Sequence, residues 1–247
     1  MKQSRFTCWS VRLLALIAGL GLTTETVRAA VFTTNAAGDS LLFSPGSVAG
    51  LYTTLEVTGS GWGYTSRTIV KFDVSTLTNG ISGQLNINSI QMQLRTSHVS
   101  AAGAAPADRI LTFHQVTQAW NEATVTWWWP EGGVGPGWVL GGVYDPTTIA
   151  TCDWSGLPDS VQAVNASDLP LTVDILPGSG NQEARNSLVT MWLNGTNYGF
   201  LFKNNNETAS AMLGLRAREN APGPGPALVI DYTVVSPRKR GTVVLIR

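Results

Sequence analysis

The stretch Ile90-Gln-Met-Gln-Leu-Arg95 alternates apolar and polar side chains at every step. Successive side chains of a β-strand point to opposite faces, so this period of two predicts a strand with one buried face. The same alternation recurs at residues 69–74, 213–218 and 228–233. In the first of these, Val70, Phe72 and Val74 are predicted to face inward, and Ile69, Lys71 and Asp73 to face outward.

Turn-forming residues separate the alternating stretches, as at Asn79-Gly80, Pro177-Gly178 and the run 222–226. Many short one-sided strands divided by such turns predict an all-β fold, a jelly-roll-like antiparallel β-sandwich with one or two short helices. The predicted core residues are Val70, Phe72, Ile90, Met92, Leu94, Trp120, Trp127, Phe200, Leu215 and Tyr232.

One stretch favours a helix instead. In residues 182–193, Ala184, Leu188, Met191 and Trp192 recur on one helical face. The pair Asn194-Gly195 follows directly and is predicted to end the helix.

The composition excludes some classes of protein. Charged residues make up 13% of the 247 residues, and the 16 basic and 16 acidic side chains balance. A nucleic-acid-binding protein is not expected, because such proteins carry a basic surface. With 43% hydrophobic residues the chain can build a core, so a disordered chain is not expected either.

Residues 1–29 have the pattern of a secretory signal, with basic residues, a ten-residue apolar core and small residues before Ala30. Cleavage there leaves 12 basic and 15 acidic residues, a net charge of −3, and a single cysteine, Cys152. The predicted organisation is a signal peptide (1–29), one β-sandwich domain (30–235) and a basic C-terminal tail (236–247). Apolar runs this short are not expected to insert in a membrane, so the predicted location is extracellular or at the cell surface.

The most specific motif is Trp120-Asn-Glu-Ala-Thr-Val-Thr-Trp127. Upstream lies the strand pattern 67–74, and downstream come 197–202, Leu215-Arg-Ala-Arg-Glu219 and 226–232. In this order the segments resemble the DNRLRE-type domains of secreted bacterial proteins, which are similar to carbohydrate-binding module family 96. The resemblance covers roughly residues 35–235 and implies a jelly-roll β-sandwich.

The resemblance implies a non-catalytic carbohydrate-binding module that is not an enzyme, with an acidic or complex polysaccharide, favouring a uronate type, as its partner. Two alternatives stay open. The same sandwich is also expected in a structural or adhesive protein of the cell surface or matrix that binds no sugar. A polysaccharide lyase is a weaker alternative, because His114 and Tyr198 only faintly match the residues that such an enzyme needs.

Candidate ligand-binding residues follow from the alternation and the loops. If their strands share one sheet, Lys71, Arg95, Arg216 and Arg218 gather on its outer face, where guanidinium groups offer paired donors to a carboxylate. Trp62 and Trp138, in glycine-rich loops, are predicted to stack on sugar rings, and Tyr144 and Trp154 are further loop aromatics of the same kind.

No cofactor is predicted with certainty. His98 and His114 show no ligand spacing for a metal, and His114 is interpreted as a structural histidine within a strand. Asp39 and Asp174 are candidate Ca²⁺ ligands, as the resemblance to such sandwiches implies, since oxygen ligands suit this ion. The alternative is that both are turn-forming side chains.

Overall fold

The computed structural model describes residues 27–44, 54–101, 103–130, 144–158, 168–219 and 224–236. Its strands are β1 (Val27–Ser44), β2 (Thr54–Thr58), β3 (Thr65–Phe72), β4 (Gln84–Ser100), β5 (Ile110–Gln115), β6 (Ala150–Asp153), β7 (Pro170–Asp174), β8 (Phe200–Asn204), β9 (Met212–Arg216) and β10 (Ala227–Val235). The helical elements are α1 (Gln182–Met191), a wider turn at Trp192–Thr196 and 3₁₀ turns at Ser60–Trp62, Pro106–Asp108 and Ser179–Asn181. The strand pairs are antiparallel, which confirms the all-β prediction.

Two sheets share their longest strands. The first sheet has the order β1–β10–β4–β7, and the second has the order β4–β9–β2–β3–β8–β5–β6. Residues 27–35 of β1 pair with β10, and residues 36–44 pair with β3. Likewise, residues 84–95 of β4 pair in the first sheet, and residues 96–100 pair with β9 in the second. Both strands carry an irregularity where they change partner, at Ala36/Gly38 and at Thr96/His98, as expected for strands that bend between sheets.

The main core draws on both sheets. It contains Phe72 and Phe200 from the second sheet and Met92 and Ile230 from the first. The alternation in β4, β9 and β10 places side chains as predicted, and nine of the ten predicted core residues are buried. The tenth, Trp127, is half-buried and packs against a separate outer cluster.

The outer cluster lies on the other face of the second sheet and overturns one prediction. It consists of Leu42, Ile69, Val116, Trp120, Val125 and Leu201. Ile69 was expected to face solvent, but it is fully buried. The reason is that the segment 120–127 folds back over β3 and β8, so these two strands are covered on both faces.

The predicted helix is present as α1, and the turn that follows it contains Gly195 with a φ of 90°. The buried face of α1 differs from the predicted one by one residue. Ala184 is exposed, whereas Arg185 is buried and only 5% exposed. The Arg185 guanidinium donates to the carbonyl oxygens of Leu176 and Gly178 at 2.8 and 2.9 Å. A buried cation is tolerated here because backbone carbonyls satisfy it.

The predicted ends of the chain fall mostly outside the described residues. Of the signal segment, only Val27–Ala29 are described, and they pair with Thr233–Val235 at the start of β1. Cleavage before Ala30 would therefore shorten β1 by these three residues. Among the described residues, no helix has the length and apolar character needed to cross a membrane.

Candidate functional site

Two arginines meet where β4 leaves the first sheet. Thr96 pairs with Leu215, so Arg95 on β4 and Arg216 on β9 lie one step further along the same antiparallel pair. Like charges opposite each other on neighbouring strands are unfavourable. The Asp168 carboxylate reduces the repulsion between the two guanidinium groups, because its Oδ1 lies 3.4 Å from Arg95 Nη1 and 3.4 Å from Arg216 Nε. The site is open to solvent, with the Arg95 side chain 38% exposed and that of Asp168 48% exposed.

The other two predicted cations, Lys71 and Arg218, lie around Glu122 instead. The Lys71 ammonium group lies 4.8 Å from the centre of the Trp120 ring, and Gly38 leaves room for its side chain. Arg218 Nη2 donates to Glu122 Oε2 at 2.9 Å. The four cations therefore form two pairs rather than the single surface expected from the alternation. The reason is that β3, which carries Lys71, pairs with β1, β2 and β8 and not with β4 or β9.

Arg218 ties together three distant segments. Besides Glu122, its guanidinium donates to Glu219 Oε1 at 2.8 Å and to the Ala37 carbonyl oxygen at 2.8 Å. Its backbone N–H donates to Asp39 Oδ2 at 2.7 Å, and Glu122 Oε1 accepts the N–H of Asp39 at 2.9 Å. The two segments that carry the sequence resemblance, 120–127 and 215–219, therefore meet at Asp39 on β1. The charged side chains of these two segments therefore serve to join them to β1.

Asp39 belongs to the only group of three candidate metal-binding side chains within the described part of the chain. One carboxylate oxygen from each of Asp39, Glu122 and Glu219 lies within 4.8 Å of the others. Arg218 already supplies the positive charge at this place, since its Nη2 lies 2.9 Å from Glu122 and 2.6 Å from Glu219. Burial, together with the charges of Glu219 and Glu122, raises the pKa of Asp39 to about 7, although the hydrogen bond from the Arg218 N–H opposes this rise. A cation bound among these three carboxylates would therefore have to compete with the Arg218 guanidinium.

Asp174 lies apart from this group, at the end of β7. Its Oδ1 accepts a hydrogen bond from the Gln91 side-chain amide at 2.9 Å. The two candidate Ca²⁺ ligands thus belong to different places in the fold, and the structure does not bring them together.

Stability should depend on pH through Asp39. Its pKa is higher in the folded protein than the ordinary value of 3.8, so the folded state holds a proton that the unfolded state loses above about pH 4. This contribution to stability is present at low pH and is lost as the pH rises toward and through 7. We expect the Tm of the wild-type protein to fall between pH 6 and pH 8, by several degrees if the loss is about 1 kcal/mol or more.

The matched variant for this measurement is Asp39→Asn, whose amide mimics the protonated carboxyl group and still accepts from the Arg218 N–H. Its Tm should change less than that of the wild type over the same range. His114, whose pKa is lowered by burial, contributes with the opposite sign but equally in both proteins. The exchange Asp231→Asn, at a half-buried carboxylate of β10, should leave the slope unchanged. Parallel Tm curves for wild type and Asp39→Asn would contradict the prediction.

Aromatic side chains form a second, half-buried region elsewhere on the second sheet. The Arg67 guanidinium lies 4.2 Å from the centre of the Trp127 ring and 5.6 Å from that of Tyr144. It also pairs with both oxygens of Glu207, at 2.7 and 2.9 Å. The turn that carries Trp62 is joined to this region, because the Ser60 N–H donates to the Glu207 carbonyl oxygen at 2.7 Å.

The tryptophans considered as sugar-stacking residues differ in their exposure to solvent. Trp62 is 37% exposed, and Trp128 and Trp129, which follow the motif, are 55% and 37% exposed. Trp154, by contrast, is 1% exposed and belongs to the main core, so its interpretation as an exposed loop aromatic was wrong. Trp138 lies outside the described residues.

His114 has a structural environment. His114 is 3% exposed, its Nδ1 lies 3.2 Å from the Asp145 carbonyl oxygen, and its Nε2 lies 3.0 Å from Thr112 Oγ1. Burial, and then the charge of Lys203, lower its pKa. The structural interpretation of His114 is therefore confirmed, and the residue does not face a substrate.

The described surface thus defines a protein that presents polar and aromatic side chains on the outer faces of a β-sandwich. Residues 44–128 match the model of carbohydrate-binding module family 96, which confirms the similarity predicted from the sequence. The matched segment holds β2 to β5, Lys71, Arg95, Trp62 and the motif 120–127. The match indicates a carbohydrate-binding module and a non-catalytic domain. A comparison with curated proteins found no match.

Proposed function

We propose that this protein is a secreted, non-catalytic carbohydrate-binding module that binds an acidic polysaccharide through its uronate carboxylates. Export after removal of residues 1–29, with one domain over residues 30–235, is part of the proposal. The intact mass of the exported protein tests that part, and a mass that includes residues 1–29 would refute it.

The observation that carries the proposal is the facing pair Arg95 and Arg216. Two guanidinium groups on neighbouring strands repel each other and are unfavourable for the sheet. Their single shared carboxylate, Asp168, leaves this group with one excess positive charge in a chain whose mature form is net negative. The planar donors of arginine suit carboxylates, and an acidic polysaccharide offers them in series.

Exposed tryptophans support sugar binding more generally. Soluble proteins seldom leave several large aromatic rings in solvent without a ligand or partner. Three of the exposed large hydrophobic residues in the described ranges are tryptophans, Trp62, Trp128 and Trp129. Their flat faces can stack on the C–H faces of pyranose rings, in addition to the charge contacts at Arg95 and Arg216.

The decisive experiment is calorimetric titration of the mature protein with alginate, a polyuronate, at low and at high salt. We expect binding that weakens as salt rises. The double variant Arg95→Ala/Arg216→Ala should lose about tenfold or more in affinity, since hydrogen bonds to charged groups are worth about 1.5–3 kcal/mol each. It should remain folded by circular dichroism, because neither side chain belongs to the buried core: Arg95 is 38% and Arg216 is 19% exposed.

The double variant Arg238→Ala/Arg240→Ala is the control, because it removes two arginine charges from the predicted C-terminal tail. Equal losses in both variants would mean that net charge, rather than the site, determines binding. Undiminished binding in the Arg95/Arg216 variant would move the site to the tryptophans. Absence of binding to every glycan of an array would favour the structural or adhesive alternative, and release of unsaturated products from alginate would favour the lyase.

A further inference from the structure

Asp168, the carboxylate shared by Arg95 and Arg216, has an unusual backbone conformation. It precedes β7, and its φ of 73° lies in the left-handed region, which few residues other than glycine adopt. Both backbone polar groups of Asp168 are hydrogen-bonded. The N–H donates to the Thr96 carbonyl oxygen at 2.7 Å, and the carbonyl oxygen accepts from Arg95 Nη1 at 3.2 Å. The backbone thus holds the carboxylate beside the arginine pair.

The contacts of this carboxylate are long. Both ion pairs use Oδ1, and each measures 3.4 Å, whereas a charge-assisted hydrogen bond between these groups is usually about 2.7–2.9 Å. The side chains of Arg95 and Asp168 are also 38% and 48% exposed, and that of Arg216 is 19% exposed. Exposed ion pairs of this kind contribute little to stability, so the carboxylate can be replaced at small cost.

We propose that Asp168 occupies, in the free protein, the position that a ligand carboxylate takes between Arg95 and Arg216, so that the ligand must displace it. This inference rests on the proposed function. Asp168 and a uronate offer the same chemical group to the same donors, and only one carboxylate can lie at the meeting point of the two guanidinium groups. Asp168 is therefore an internal competitor that lowers affinity and balances one of the two arginine charges when no ligand is present.

The competition also selects among ligands. A group that binds the arginines no better than Asp168 does gains nothing by displacing it, so neutral sugars and isolated weak anions are excluded. A polyuronate presents many carboxylates near the site at once, which raises the effective concentration of the competing group. The site thus favours a polymer of uronates over a single acidic sugar.

The test is the variant Asp168→Asn, titrated with alginate at low salt beside the wild type. Asparagine is isosteric and tolerates the left-handed conformation, so the backbone contacts are retained while the competing charge is removed. We expect affinity to rise by about three- to tenfold. The matched control is Asp174→Asn at the far end of β7, which removes one negative charge but whose carboxylate contacts the Gln91 amide rather than an arginine.

The outcomes separate the two proposals. A gain in Asp168→Asn that is absent in Asp174→Asn, and absent for a fully methyl-esterified polyuronate, supports displacement of Asp168 by a carboxylate. An equal gain in both variants would overturn it in favour of a general charge effect. Unchanged or weaker binding in Asp168→Asn, with binding intact in the wild type, would overturn it and assign Asp168 an orienting role. If the wild type binds no polyuronate, the proposed function itself fails.

Discussion

Replacing Phe72 with alanine is expected to lower the free energy of unfolding by about 3–5 kcal/mol. Phe72 is 3% exposed at the end of β3 and belongs to the main core. Its ring centre lies 6.2 Å from that of Phe200 with an edge-to-face arrangement, and Phe200 in turn contacts Trp192 beyond α1. Removal of the ring leaves a cavity beside Phe200 and Trp192. This cavity cannot easily close, because these two side chains belong to different elements.

Chemical denaturation measures this loss, and Phe43→Ala provides the comparison. Phe43 is also a phenylalanine of the second sheet, but it is half-buried and contacts Tyr64 near the end of β1. The same deletion there should cost clearly less. Similar losses at both positions would show that burial in the main core does not set the stability of this sheet.

Replacing Gly199 with alanine should be almost as damaging, by roughly 3 kcal/mol or more. Gly199 has a φ of 90°, and a Cβ atom at this position would collide with the Val70 carbonyl group and the Lys71 Cα. Both are backbone atoms of β3, which cannot move without disturbing its pairing with β8. The Gly199 carbonyl oxygen also accepts the Val116 N–H at 3.0 Å, so any shift is transmitted to the outer cluster.

Gly195→Ala separates the two causes of this loss. Gly195 has the same φ of 90°, but nothing lies within 4 Å of the Cβ that alanine would add. That variant should pay only the conformational penalty, of about 1 kcal/mol. The difference between the two variants in thermal unfolding therefore measures the close approach of the chain to β3, and equal losses would show that no such close approach exists.

Much of the fold could be predicted from the sequence because a half-buried strand has a period of two. Met92, Leu215 and Tyr232 are buried for that reason. The prediction failed at Ile69, since alternation reports only one buried face and cannot show that segment 120–127 covers the other. At Ala184 it failed because a helical pattern counts apolar residues, whereas Arg185 is buried through carbonyl groups that only the folded chain supplies.

The candidate site was less predictable because it depends on register. The sequence identified Arg95 and Arg216, but their counter-ion Asp168 lies 73 residues from Arg95, and no local pattern indicates that separation. The Arg67–Glu207 pair spans 140 residues and was missed for the same reason. In both cases the sequence showed a charged residue in a chain that has few of them. It did not show which distant residue would pair with it.

The pairing of β1 with β10 has a consequence for how the chain acquires its structure. Ala30 on β1 lies opposite Tyr232 on β10, so the first sheet can close only when these two strands, which are distant in sequence, have met. Contacts this distant in sequence slow folding. Because synthesis also proceeds from the amino terminus, the first sheet stays incomplete until residues 227–235 have been made, and the early part of the chain must avoid wrong pairings until then.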